Sequence, residues 1–267
     1  MSQRRITVFH NNSDLSAYTS EKLFTILESR GFEVTEEYSD DTELIICIGG
    51  DGAFLKAIHA CDFPTCPIVG INTGHLGFFQ DVRPENMEDF LDQYESGDYN
   101  IQQLNGVKAV ISTDDGGEYT HIGLNEIAIK GPRAYSIHLD ISIGGKPIER
   151  FSGDGIIVAT SAGSTAYNYS VGGSIADPRL DLLQVTPIAP MNTTAYRSFT
   201  SSILLPADLS LGVVPESRER KIYLLNDGIE KSYDNVQSIE VMASDTTVQL
   251  IRLKGYDFWS KVKDKFL

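Results

Sequence analysis

Hydrophobic residues in the first hundred positions follow two different periods. Strand candidates occupy residues 4–10, 32–38, 43–50 and 67–72. The run within 43–50 is continuously apolar, as a buried parallel strand should be. Segments with apolar residues at helical spacing or with helix start and stop signals occupy residues 15–31, 52–61 and 84–97. Because strands and helices alternate, the pattern predicts a Rossmann-like parallel α/β domain over residues 1–100.

The pattern changes after residue 100. Short alternating runs are separated by the turn sequences "DDGG", "KGP" and "GGKP", which are typical of hairpins. We therefore expect an all-β, sandwich-like domain over residues 101–250, interrupted by one short helical stretch at 164–172. In residues 251–267, Phe258, Trp259, Val262 and Phe266 lie near helical spacing. They predict a C-terminal helix that docks back on the N-terminal domain.

Charge limits the classes of partner. The 267 residues carry a net charge of −15, which argues against broad binding to nucleic acid or to anionic membranes. No apolar run approaches the roughly 20 residues of a membrane span, so we expect a cytoplasmic protein. If the ligand carries phosphates, backbone N–H groups, a few Arg or Lys side chains, or Mg²⁺ must neutralise them locally.

The cysteines and histidines show no metal-binding pattern. Cys47, Cys61 and Cys66 fit neither a C-x-x-C pair nor a zinc site. Their odd number indicates reduced thiols, and Cys47 is expected to be a small buried hydrophobe. We expect no fixed metal site on the protein itself.

The glycine-rich turn "CIGGDGAFLKAI" (47–58) follows an apolar strand and precedes a helix that is expected to begin near Ala53. It fits neither G-x-x-x-x-G-K-[ST] nor G-x-G-x-x-G, whose third glycine is replaced by Leu55. Ligands collect at the carboxyl ends of parallel strands, and Asp51 stands at such an end. On local pattern alone, Asp51 is either the N-cap of an ordinary turn or a carboxylate that accepts a proton or holds Mg²⁺.

Four motifs occur in a fixed order along the chain. They are "GGDG" (49–52), "NTGHLGFF" (72–79), "LNEIAI" (124–129) and "GDGIIVATSAGSTAYNYSVGG" (153–173). Together they resemble the NAD kinase family over essentially the whole chain. The first motif is shared with lipid kinases and phosphofructokinases, whereas "GDG" followed by "GSTAYN" is much more specific to NAD kinases.

The resemblance implies a reaction and a set of residues. The family transfers the γ-phosphoryl group of ATP to the 2′-hydroxyl of the adenosine ribose of NAD, giving NADP, with a divalent cation such as Mg²⁺. Asp51 takes the role of general base, and Gly49, Gly50 and Gly52 let phosphates approach the backbone. The remaining substrate-binding residues that the resemblance implies are Phe78, Phe79, Asn125, Glu126, Asp154, Ala162, Thr165, Ala166, Tyr167, Ser170 and Ala189.

Each of these assignments has a purely structural alternative. The two phenylalanines suit a hydrophobic core, Asn125 and Glu126 a polar strand edge, Asp154 a β-turn, and Tyr167 the buried face of a helix. If both Asn125 and Glu126 contact ligand, the strand must end or bulge there, because neighbouring side chains in a regular strand face opposite ways.

The chain also departs from the family pattern. Ser161 stands where a proline is common, Ala162 lacks a hydroxyl, and Ser152 stands where relatives often carry a basic residue. These departures bear on substrate affinity more than on the type of reaction. The alternatives to an NAD kinase are a lipid or sugar kinase with the same glycine-rich turn, or a non-catalytic dinucleotide-binding sensor. The resemblance also implies a homodimer or homotetramer.

Overall fold

The computed structural model describes residues 4–133, 135–194, 197–217 and 221–266. It forms two compact units, one made of residues 1–104 and 247–267 and the other of residues 105–246. The expected boundaries at 100 and 250 differ from these because both divisions fall within long strands, Tyr99–Thr113 and Val236–Leu253. A pattern of turn residues does not mark a boundary that lies inside a strand.

The strands are numbered in chain order. They are β1 Arg5–His10, β2 Glu33–Thr35, β3 Thr42–Gly49, β4 Ile68–Asn72, β5 Gln80–Val82, β6 Tyr99–Thr113, β7 Glu118–Gly123, β8 Glu126–Lys130, β9 Ile137–Ile143, β10 Lys146–Gly153, β11 Gly155–Thr160, β12 Leu182–Ile188, β13 Ile203–Pro206, β14 Leu211–Pro215, β15 Ile222–Asn226, β16 Ile229–Tyr233 and β17 Val236–Leu253.

The α-helices are α1 Asp14–Ser29, α2 Asp51–Ala60, α3 Met87–Ser96, α4 Tyr167–Ser170 and α5 Phe258–Phe266, and two 3₁₀ turns cover Pro84–Asn86 and Ala162–Thr165. Within the described ranges, no helix combines the length and the apolar character that a membrane crossing requires. The short helical stretch expected at 164–172 consists of the 3₁₀ turn Ala162–Thr165 followed by one turn of α-helix, Tyr167–Ser170.

The first unit is built on a parallel sheet. Strand β1 pairs with β2 and β3, β3 pairs with β4, and the end of β17 joins β4 through Leu250 and Ile68. Its continuously apolar strands are buried on both faces, as parallel strands between helices must be. The core includes Ile6, Leu27, Ile46, Val69 and Phe90. The predicted α/β domain is confirmed.

Helix starts in this unit follow capping chemistry. The Ser13 hydroxyl accepts the Ser16 N–H at 3.2 Å and caps α1. Helix α2 begins earlier than expected near Ala53, since Gly50 has an extended backbone and occupies the N-cap position. Asp51 is consequently the first helical residue, and its side chain makes no cap hydrogen bond within α2. The N-cap alternative for Asp51 is wrong.

The second unit is rich in antiparallel sheet. Its six-stranded sheet has the order β13-β12-β11-β8-β15-β16. Separately, β9 pairs with β10 and β14, β14 pairs with β17, and β6 pairs with β7. The inward side chains form one apolar cluster that includes Ile127, Phe151, Val158, Leu211 and Val241. This arrangement confirms the predicted sheet-rich second domain.

The cysteines are free thiols. Cys47 is 1% exposed in β3, and burial raises its pKa to about 12. Burial likewise raises the pKa of Cys61 to about 12. The interpretation of Cys47 as a small buried hydrophobe is confirmed, and these thiols stay protonated at neutral pH.

Candidate active site

Asp51 lies where β3 turns into α2, and its side chain reaches across to the next loop. One carboxylate oxygen accepts the Phe78 N–H at 2.9 Å and the Phe79 N–H at 3.1 Å. The side chain remains 27% exposed, and Lys265 Nζ lies 3.6 Å from its second oxygen. The carboxylate is therefore held in one orientation by backbone donors while it stays open to solvent.

The glycines around Asp51 divide into two kinds. A Cβ on Gly49 would lie 2.5 Å from the Cβ of Ala53, and one on Gly77 would lie 2.5 Å from Oδ1 of Asp51. These two glycines are required by close packing. Gly50 and Gly52, in contrast, have open space around them, so a ligand can approach the backbone at those two positions.

The rings of Phe78 and Phe79 are buried in this structure, being 5% and 4% exposed. Phe78 packs against Phe258 and Phe266 of α5, with ring centroids 5.7 and 5.9 Å apart, and Phe79 stacks on Phe54 at 4.7 Å. Core packing thus accounts for both rings, and nucleotide contact by either stays a prediction. Their backbone N–H groups, which orient Asp51, are a contribution that side-chain patterns do not reveal.

In the second unit, Asn125 and Glu126 lie where β8 begins. Asp227, at the tip of the β15–β16 hairpin, accepts the N–H groups of Leu124 at 2.6 Å, Asn125 at 2.8 Å and Glu126 at 3.2 Å. Because one carboxylate binds these donors, the chain does not continue as regular strand before Glu126. Asp227 was not among the predicted residues; only the turn sequence "NDG" (226–228) marks it.

The side chains of Asn125 and Glu126 are buried, and each has a polar atom without a hydrogen-bond partner among the described residues. Asn125 is 4% exposed and Glu126 is 7% exposed. Oδ1 of Asn125 and Oε2 of Glu126 accept no hydrogen bond from any described residue. Since buried oxygens in native proteins are nearly always paired, this corner is suited to a ligand that brings hydroxyl or amide donors.

The carboxyl of Glu126 is held in an unusual protonation state. Burial, and next the charge of Asp227, raise its pKa to about 8, against the opposing effect of a hydrogen bond from the Tyr167 backbone. At neutral pH the group is mainly protonated and has an O–H to donate. Glu126 can therefore both donate to and accept from a neighbouring hydroxyl.

The 3₁₀ turn that follows β11 packs directly against Asn125. A Cβ on Gly163 would overlap the Asn125 backbone, so only glycine lets the two segments come this close. The Thr160 N–H donates to the Asn125 carbonyl at 2.9 Å, and the Thr160 hydroxyl donates to Leu124 O at 2.7 Å. Thr160 and Gly163 thus position the Asn125–Glu126 corner.

Buried polar side chains hold the rest of the "GSTAYN" segment. The Ser164 hydroxyl donates to Ala176 O at 3.1 Å, and Asn168 accepts the Thr186 hydroxyl at 2.6 Å. Both Ser164 and Asn168 are fully buried. Pattern reasoning did not separate these structural residues from their accessible neighbours. Of the predicted residues in this segment, the half-buried ones are Ala162, Thr165, Ala166 and Tyr167, and the exposed one is Ser170.

The second "GDG" places Asp154 on the surface. Its N–H donates to Ile188 O at 2.9 Å, and its side chain is exposed. Ala189, also exposed, has a φ of +45°, a left-handed conformation that is uncommon for alanine. Such backbone strain tends to be found at functional sites. Asp154, whose N–H binds the residue before Ala189, and Ala189 itself are therefore both accessible to a ligand.

Two of the departures from the family pattern, Ser161 and Ser152, are buried and hydrogen-bonded within the protein. The Ser161 hydroxyl donates to Leu180 O at 2.6 Å. Ser152 is 2% exposed, and its N–H donates to the Ser198 hydroxyl at 2.9 Å. Position 152 is consequently buried and adds no charge to the surface.

A metal ion would find few protein ligands. Among the residues that the structure describes, no three His, Cys, Asp or Glu side chains cluster as a metal site. A divalent ion would need most of its ligands from phosphate oxygens and water.

Sequence comparison places the whole chain among known proteins. Residues 17–99 match the ATP-NAD kinase N-terminal domain and residues 124–253 the ATP-NAD kinase C-terminal domain. The NAD kinase of Finegoldia magna is 39% identical over 98% of this chain and 97% of its own length. The NAD kinase of Staphylococcus saprophyticus is 29% identical over the same shares.

Structural comparison agrees at the level of the fold. Yeast NADH kinase complexed with NADH superimposes with a TM-score of 0.86 at 18% identity, covering 98% of this chain and 87% of the yeast chain. An NAD kinase from Archaeoglobus fulgidus in complex with ATP gives 0.78 at 24% identity, covering 97% and 98%. By its matched domains and its relatives over nearly the full length, this chain belongs to the NAD kinase family.

Proposed function

We propose that the chain transfers the γ-phosphoryl group of ATP to the 2′-hydroxyl of the adenosine ribose of NAD, with Asp51 as the general base. The observation that carries the assignment is the geometry of Asp51. Its carboxylate stands at the carboxyl end of β3, is aimed by the Phe78 and Phe79 N–H groups, and is open to solvent. A carboxylate fixed by backbone donors is pre-organised to meet an incoming hydroxyl.

The chemistry suits a phosphoryl transfer. A ribose hydroxyl is a weak nucleophile until a base takes its proton, and a positioned base contributes on the order of 10²–10⁴-fold to the rate. The rest of such a reaction depends on positioning and on neutralising charge around the phosphoryl group. The backbone at Gly50 and Gly52, unobstructed by side chains, and the free N–H groups at the start of α2 supply donors for phosphate oxygens.

We assign the dinucleotide to the residues of the second unit. Asn125 and Glu126 have buried oxygens without protein donors, which suit ribose hydroxyls and the adenine amino group. We likewise assign the adenosine to Tyr167 and its half-buried neighbours in the "GSTAYN" segment. Asp154 is assigned to the nicotinamide side.

MgATP is proposed as the second substrate. No cluster of described acidic or histidine residues forms a metal site, so the divalent ion enters bound to the ATP phosphates. With a net charge of −15 on the protein, this ion offsets repulsion between the enzyme and the nucleotide.

A product assay tests the proposal. Purified protein is incubated with NAD, ATP and Mg²⁺, and NADP is measured with an NADP-specific dehydrogenase. Asp51→Asn should lower kcat by at least about 10²-fold, the size of a general-base contribution. Asp14→Asn is the matched control because Asp14 is likewise the first residue of a helix. Near wild-type turnover by Asp51→Asn would remove Asp51 from the role of base.

The same assay separates the alternatives. A dinucleotide-binding sensor would bind NAD, as seen by calorimetry, without forming NADP. A lipid or sugar kinase would transfer the phosphoryl group of ATP only when its own acceptor replaced NAD. The acidic surface and the Asn125–Glu126 corner favour a dinucleotide over either acceptor.

Assembly and location are part of the proposal. We infer a homodimer or homotetramer from the family resemblance, which sedimentation at several protein concentrations would measure. We infer the cytoplasm because the three cysteines are free thiols and a reducing compartment keeps them so.

A further inference from the structure

Three cations of the C-terminal segment bind one short loop of the first unit. Arg252 donates to Phe78 O at 3.0 Å, Lys261 to Gln80 O at 2.7 Å, and Lys265 to Leu76 O at 2.8 Å. Residues 76–80, here named the base loop, thus have three carbonyls held from one side. The same loop supplies the N–H groups that orient Asp51.

Two of these cations already have an anionic partner in the protein. Arg252 lies 3.0 Å from Asp81 Oδ1 and Lys261 lies 2.6 Å from the same oxygen, and Asp81 is 6% exposed. Their charges are therefore used to compensate a buried carboxylate. They hold the carbonyls of Phe78 and Gln80, in the middle and at the end of the base loop.

Lys265 differs because its anionic neighbour is Asp51. Its Nζ lies 3.6 Å from Asp51 Oδ2 while it donates to Leu76 O. It also lies 5.1 Å from the centre of the Phe78 ring, a distance at which a cation is attracted to an aromatic face. One ammonium group therefore links the carboxylate to the loop that aims it.

From this geometry we propose that Lys265 is a positioning residue for phosphoryl transfer. It acts through Asp51. The ammonium lies beside the second carboxylate oxygen and holds the Leu76 carbonyl at the start of the base loop, so that the first oxygen keeps its two backbone donors. The role rests on the proposed function of Asp51 as base. Helix α5 is, on this account, part of the catalytic scaffold.

Steady-state kinetics provide the first test. Lys265→Ala should lower kcat on the order of tenfold, the effect of losing one partly exposed charged hydrogen bond, with KM for NAD and for ATP unchanged. Lys265→Arg keeps the charge and the donors and should restore most of kcat. Lys263→Ala is the control: it lies on α5, is exposed, and has no hydrogen bond or ion pair to any described residue. A raised KM for ATP at normal kcat would overturn the proposal, since Lys265 would then bind the donor phosphate.

Hydrogen exchange provides a test that does not depend on activity. In Lys265→Ala the amides of Phe78 and Phe79 should exchange on the order of tenfold faster than in the parent protein, whereas Lys263→Ala should leave them unchanged. Unchanged exchange at both amides would refute the positioning role, even if kcat fell. If the parent protein makes no NADP, the proposed function fails, and exchange alone decides whether Lys265 holds the base loop.

Discussion

The carboxylate of Asp227 accepts the backbone N–H of Asn125 at 2.8 Å. With its further bonds to the N–H groups of Leu124 and Glu126, it ties the tip of the β15–β16 hairpin to the start of β8. A residue a hundred positions along the chain thereby sets where the Asn125 and Glu126 side chains stand.

The first prediction concerns Asp227 itself. Asp227 has a φ of +49°, which asparagine also tolerates, so Asp227→Asn preserves the turn and removes the charge. Because hydrogen bonds to a charged acceptor are worth roughly 1 kcal/mol more than neutral ones, KM for NAD should rise about fivefold or more. Asp234→Asn is the control, since its side chain is 65% exposed. Equal KM values for the two variants would contradict the proposed dependence on Asp227.

The second prediction concerns the pH dependence of stability. The pKa of Glu126 is about 8 in the folded protein and about 4.5 when unfolded, so the folded state binds this proton more tightly. Its contribution to stability is complete below pH 4.5 and is lost as the pH rises towards 8, on the order of 1 kcal/mol per pH unit. Glu126→Gln should flatten this decline.

Urea unfolding between pH 5 and pH 9 measures the effect. The surface variant Glu21→Gln should keep the parent slope, because Glu21 is exposed on α1. A Glu126→Gln curve parallel to that of the parent protein would show that Glu126 is ionised in the folded state at neutral pH.

The third prediction compares two glycines of one loop. A Cβ on Gly77 would lie 2.5 Å from Asp51 Oδ1, whereas one on Gly74 meets open space. Gly77→Ala should therefore displace Asp51 and lower kcat about 10²-fold, the usual effect of misplacing a catalytic group by about 1 Å. Gly74→Ala should stay within a few-fold of the parent. The assay is NADP formation at saturating substrates, and equal losses in both variants would count against the assigned geometry.

The fourth prediction separates stability from function at Gly52. Gly52 is exposed in the first turn of α2 with open space around it, so Gly52→Ala should stabilise the helix by about 0.5–1 kcal/mol. If a phosphate approaches the backbone there, the added methyl group should raise KM for ATP. The two measurements are thermal unfolding and initial rates. A stabilised variant with unaltered KM would leave Gly52 outside the nucleotide site.

The α/β unit was the part of the fold most accessible to pattern reasoning. Strands β3 and β4 contain continuous apolar runs. Ser13 and Gly97 mark helix ends by local backbone chemistry. These signals act over a few residues and need no knowledge of the rest of the chain. The same reasoning failed at the start of α2, because the extended backbone of Gly50 is not encoded by any hydrophobic period.

The candidate site could be predicted only in outline. The motifs led to Asp51, Asn125, Glu126 and the "GSTAYN" segment, and the family assignment agrees with them. They did not distinguish Ser164 and Asn168, which are fully buried, from their accessible neighbours. Whether a polar residue points inward depends on the backbone that surrounds it, which a motif does not contain.

The sequence by itself determined the alternation of strand and helix, the order of the motifs, the acidic surface and the family. The tertiary structure decided which distant residues act on each motif: Phe78, Phe79 and Lys265 on Asp51, and Asp227 on the Asn125–Glu126 corner. The physical reason is the distance along the chain over which each kind of interaction acts. Periodicity and capping are local properties of the chain, whereas a hydrogen bond or a shifted pKa depends on atoms that only folding brings within a few ångströms.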